Sequence, residues 1–183
     1  MTNDQILIQH TMNWVRDVIV GLNFCPFAAR EVERNTVRYV LDHSKDDEQR
    51  LHHFIDECLY LDTNPQTETT LFIITEALDD FELFLDFIEF ANTLLENQGY
   101  EGIYQLAHFH PHYQFDNTDI DDASNYTNRS PYPMLHLIRE SSIEKALEHY
   151  PDAESIPERN IELARKMGTL QMQTLLNNTL KDQ

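Results

Sequence analysis

The segment 69–75, TTLFIIT, constrains the fold more than any other stretch of the chain. In an extended backbone Leu71 and Ile73 point to one face, and Phe72 and Ile74 to the other. A strand that is apolar on both faces belongs in the interior of a sheet covered on two sides, the environment of α/β proteins. The flanking segments supply further layers. Residues 36–41 alternate, with Val37, Tyr39 and Leu41 on one face and Arg38 and Val40 on the other, which reads as a strand. Between the two strands, residues 46–61 set Leu51, Phe54, Ile55, Cys58 and Leu59 on one side of a helix. Residues 79–97 give the clearest helix, opened by Asp79 and Glu82 at capping-box spacing. Its polar stripe is Glu82, Asp86, Glu89, Thr93 and Glu96, and the rest of its girth is largely Phe, Leu, Ile and Ala. Such a helix is buried over more than half its circumference, either deep in the fold or against a second subunit.

Two further strands are read at 103–110 and 134–139, and helices at 3–20, 141–150, from Ser155 onward, and at 169–180. Residues 116–126 read as an acidic loop. The order contains two β-α-β units, which implies three strands running in one direction with right-handed crossovers. The expected architecture is a single α/β (or α+β) domain over 1–183: a mixed sheet of about four strands, with helices at both termini. A length of 183 residues suits one domain.

Charge narrows the partners. With 13 Lys+Arg against 32 Asp+Glu the formal charge is −19. Phosphate backbones and anionic lipid are bound mainly through Lys and Arg, so nucleic acid and membrane surfaces are excluded. None of Gly21, Gly99, Gly102 and Gly168 falls in a dinucleotide or Walker spacing. Glu82, Asp86 and Glu89 interrupt the most apolar stretch, which rules out a membrane span there. The first residues, Met-Thr-Asn-Asp-Gln, have neither a basic nor an apolar signal region, so a cytoplasmic protein with reduced Cys25 and Cys58 is expected.

Three constellations carry chemistry. In residues 107–113, AHFHPHY, His108, His110 and His112 recur at every second position, and His136 sits in the next strand. Imidazoles on adjacent strands suit zinc or a similar metal, but Pro111 ends or bends the strand. The plain alternative is a histidine-rich strand end bonded to backbone and water, and no metal or cofactor is assigned. In residues 126–140 Arg129 and Arg139 bracket a segment stiffened by Pro131 and Pro133. Guanidinium groups hold carboxylate or phosphate with two parallel bonds; in so acidic a chain they equally find internal carboxylates. Cys25, between Phe24 and Pro26, is a nucleophile if a histidine lowers its pKa, and otherwise a packed small residue. The acidic loop lacks the EF-hand order and reads as solvated. The pair His52-His53 is assigned no role.

Several runs resemble a bacterial family known only as domain of unknown function 1415. They are residues 21–28 (GLNFCPFA), 37–40 (VRYV), 109–115 (FHPHYQF), 126–133 (YTNRSPYP), 135–140 (LHLIRE) and 158–160 (ERN). The resemblance spans nearly the whole chain and implies one compact domain of this length. It implies no activity, cofactor or catalytic residue.

Two functions of different class follow. In the first, an enzyme holds a small anionic molecule with Arg38, Asn128, Arg129 and Arg139. His110 or His136 transfers protons near neutral pH, and Cys25 is an optional nucleophile. In the second, a non-catalytic interaction protein packs its 79–97 helix on a partner, a second copy included, and its acidic surface meets a basic protein. Convergence decides between them: Cys25, His110, Arg129 and His136 around one cleft favour the enzyme, whereas scattered and individually bonded groups favour the interaction protein.

Overall fold

The structure is a computed structural model that describes residues 1–148, 150 and 152–181. Strand β1 (Val37–Asp42) pairs in parallel with β2 (Thr69–Ile74), and β4 (Met134–Arg139) pairs antiparallel with both β2 and β3 (Tyr104–Phe109). The order is β1-β2-β4-β3, so β1, β2 and β3 share one direction and β4 runs against them. The β2 strand is interior, as its two-sided apolar pattern requires: Phe72 is 0% and Leu71 4% exposed.

Helices cover both faces. On one face α3 (Asp47–Thr63) and α4 (Phe81–Asn97) bury Phe54, Cys58, Phe84 and Phe87 against Phe72, Ile74, Leu135 and Leu137. On the other, α1 (Asn3–Trp14) with the turn that continues it, α6 (Ile156–Met167) and α7 (Thr169–Thr179) gather Trp14, Val18, Ala164 and Met172 against Leu71 and Met134. A fifth helix, α5 (Glu140–Glu148), follows β4, and residue 149 of the helix expected there lies outside the described residues.

Four local features depart from the sequence reading. The cap of α4 is Asp80, one residue later than expected, and its Oδ1 accepts the N–H groups of Glu82 and Leu83 at 2.9 and 3.1 Å. The first helix runs on through a π-helical turn, Val15–Val20. There the Gly21 N–H reaches back to the Arg16 carbonyl, and a Cβ on Gly21 would lie 2.3 Å from the Asp17 carbonyl oxygen, so only glycine fits. A short helix α2 (Ala28–Glu33) follows, too short for its periodicity to register in the sequence. The loop after β3 is also not simply solvated: its 3-10 turn, Ala123–Thr127, is buried throughout. Asn125 organises it, accepting the Phe115 N–H (3.0 Å) and the Thr118 hydroxyl (2.9 Å) while donating to the Asp119 carbonyl (2.9 Å).

Candidate functional site

The strand register separates the two histidines expected to share a pocket. Ala107 lies opposite His136, and His108 opposite Leu135. His136 therefore shares the face of Met134 and meets the Phe109 ring at 6.2 Å. His110 belongs to the other face, 4.9 Å from the Phe84 ring and 5.2 Å from Phe81. The sheet stands between them, so the expectation of a common pocket is corrected: a spacing of 26 positions carries no information about which face each residue takes, and that depends on register.

Each of these groups is bonded within the fold. His110 is 0% exposed. Its Nε2–H donates to the Leu78 carbonyl (2.9 Å) and its Nδ1 accepts the His112 N–H (3.0 Å), which fixes the neutral tautomer. Burial pushes its pKa down, and that of His108 likewise. The Thr69 hydroxyl donates to the Leu137 carbonyl and so accepts from His136 Nε2 (2.7 Å), and burial pushes the His136 pKa down to about 4. Arg38 forks onto Glu57 at 2.8 and 3.0 Å and lies over the Tyr60 ring. The other two arginines hold main-chain carbonyls rather than carboxylates. Arg129 donates to Tyr113 (3.1 Å) and Ile120 (2.8 Å), and Arg139 to Leu61 (2.6 Å), Thr67 (3.0 Å) and Asn64 (3.3 Å) at the end of α3. The Asn128 carbonyl accepts the His110 N–H, and its Oδ1 accepts from Thr127. Cys25 packs beside the Trp14 cluster, and burial raises its pKa, the opposite of an activated thiol. Among the described residues no three His, Cys, Asp or Glu side chains are grouped to hold a metal ion.

A different region combines burial, strain and exposure. Beyond the C-terminal ends of β1 and β2 lies a groove of about 470 Å³, lined by Lys45, Asp46 and Asp47 after β1, by Ala77 and Leu78 after β2, and by Leu83, Asp86, Phe87 and Phe90 of α4. Ala77 (φ 60°) and Leu78 (φ 57°) are consecutive non-glycine residues in the left-handed region, at about 1–2 kcal/mol each. Hydrogen bonds on either side hold this strained turn: Arg50 donates to the Glu76 carbonyl (2.9 Å) and His110 to the Leu78 carbonyl.

Arg50 is itself wholly buried, bonded to Asp42 (2.9 Å), to Asp47 (2.6 Å) and to the Ser44 carbonyl (2.7 Å). Asp42, also wholly buried, further accepts from the Ser44 hydroxyl (2.6 Å) and pairs with His53 Nδ1 (2.9 Å). Sequence reasoning missed this network. In the chain Arg50 looks like one more charge in an acidic first turn, and the only signal was an aspartate at a strand end, where α/β sheets gather polar groups.

Helices on both faces of a mixed sheet, with a groove at the strand ends, define a layered α/β protein. The chain belongs to the family described as "Protein of unknown function (DUF1415)", which it matches over residues 6–174 of 183. Comparison with curated proteins and with solved structures gives no match. No described helix is long and apolar enough to cross a membrane.

Proposed function

We propose that this protein is a non-catalytic interaction module whose groove along α4 docks an apolar, basic segment of another protein. The observation that carries this reading is the exposure of Leu83 (59%) and Phe90 (61%), two turns apart on one side of α4, with buried Phe87 between them. A row of apolar positions at helical spacing is the kind of surface onto which an amphipathic helix docks. Asp46, Asp47 and Asp86 line the same groove beside a single Lys45. A second copy would bring the same acidic rim and a further −19 of charge, so complementarity selects a cationic partner of a different sequence. The turn at Ala77 and Leu78 is already held before a partner arrives, and strain kept in place by buried bonds is typical of binding surfaces.

The small-anion enzyme has less support. Arg38, Arg129 and Arg139 direct their donors to Glu57 or to main-chain carbonyls, and His110 and His136 lie on opposite faces. Calorimetry with an amphipathic Leu/Lys helical peptide tests the docking surface. Binding is expected to weaken with salt, and Phe90→Asp to lower affinity about tenfold or more with little change in melting temperature. Equal affinity for the variant, no binding at all, or a self-dimer that Phe90→Asp dissociates would overturn the proposal.

A further inference from the structure

On the other flank of α4, independently of the groove, Phe81, Leu85, Tyr113, Gln114, Phe115 and Asp116 line a cavity of about 370 Å³. We propose that this cavity is a binding site for an organic cation of the quaternary-ammonium class. Its volume falls within the ~300–1,000 Å³ of small-molecule pockets. The Phe81 and Tyr113 rings lie 5.3 Å apart at 54°, and Tyr113 and Phe115 5.0 Å apart at 73°, so the three rings meet at angles, as walls, rather than stacking flat. All three are half-buried and keep ring surface open to the cavity.

The chemistry of the walls selects the ligand. Aromatic faces carry negative charge density and attract cations, most strongly those with little water to lose. An ammonium or guanidinium with N–H groups would demand several acceptors, and among the rings and methylenes of the lining these are few: the Asp116 carboxylate, the Tyr113 hydroxyl and the oxygen of the Gln114 amide, whose nitrogen donates to the Thr118 carbonyl (2.6 Å). A quaternary ammonium makes no such demand. Asp116 is the one ionic group in the lining and supplies the counter-charge. It acts on this same wall: burial pushes the Tyr113 pKa up, and the Asp116 carboxylate adds to that. An anion would meet Asp116 and three ring faces.

Nearby positive features are occupied. The first N–H groups of α4 are capped by Asp80, and the Arg129 guanidinium is bonded to the Tyr113 and Ile120 carbonyls and lies over Tyr126 at 4.6 Å. Those same Arg129 bonds, with the Asn125 bond to the Phe115 N–H, hold the loop before a ligand enters.

The ligand chemistry has two sources, a free small molecule or a trimethylated lysine of another protein. Calorimetry on the whole protein at low salt, using choline, its neutral isostere 3,3-dimethylbutan-1-ol and a trimethyl-lysine peptide, separates them. Choline or the peptide is expected to bind about tenfold tighter than the neutral isostere, and whichever of the two binds tighter names the source. Phe115→Leu and Asp116→Asn are each expected to weaken that binding several-fold without lowering the melting temperature. Equal binding of the neutral isostere, unchanged affinity in Asp116→Asn, or no binding of either cation at millimolar concentration would overturn the site, whatever the α4 groove does with its peptide.

Discussion

His136 shows how packing against neighbouring side chains alters a half-buried imidazole. Its Nε2 is bonded to Thr69 and its ring lies against Phe109, so a positive charge there is poorly solvated and its pKa falls to about 4. The unfolded chain binds that proton near the ordinary histidine value of about 6.5. Between these values the unfolded state holds more protons than the folded one, so stability rises with pH across the window and is lost as pH falls from about 6.5 towards 4. Urea denaturation at pH 7 and pH 4.5 is expected to show this loss, and His136→Gln to reduce it by roughly 2 kcal/mol. An unchanged pH profile in the variant would mean that the imidazole keeps its charge in the folded protein.

At the scale of elements, the same few bonds tie β1, α3 and the turn after β2 together. Arg50 joins them through Asp42, Asp47 and the Glu76 carbonyl, all with no exposure of its own side chain. Removing one partner of a buried ion pair leaves the other charge uncompensated. Arg50→Met is therefore expected to destabilise by about 3–5 kcal/mol in urea titration, and adding Asp42→Leu to recover part of the loss. A cost below about 1 kcal/mol would show the pair to be better hydrated than its burial implies. The helix α4 divides its own sides just as clearly. Phe84 and Ile88 are buried while Glu89 is exposed, as the polar stripe implied, yet Leu83 and Phe90 are exposed beside that stripe. An apolar residue in a helix carries no mark of whether a sheet or a partner will cover it.

For the whole molecule, the charge of −19 is a uniform burden, since the excess acids lie mostly on the exposed surface. Self-repulsion among them is screened once the Debye length falls below their spacing. Raising salt from about 10 mM to about 300 mM is accordingly expected to raise the melting temperature in calorimetry at pH 7. A fall would indicate that surface pairs such as Arg165–Asp122 outweigh the net repulsion.

The pattern of the chain alone determined the layered α/β class, all four strands and the interior place of β2, because alternation and helical period are local properties and Leu71, Phe72, Ile73 and Ile74 leave an extended segment no exposed face. It also marked His110, Arg129 and Arg139 as unusual, and these residues do hold loops and helix ends together. What they bond to was decided only in three dimensions. The antiparallel insertion of β4 between β2 and β3 set the register that put His136 and His110 on opposite faces. The left-handed turn at Ala77 and Leu78 and the buried Asp42–Arg50 pair arise from segments that meet only after folding. Bonds such as these, across 8, 26 and 32 positions, follow no period, and so leave no trace in the order of the chain.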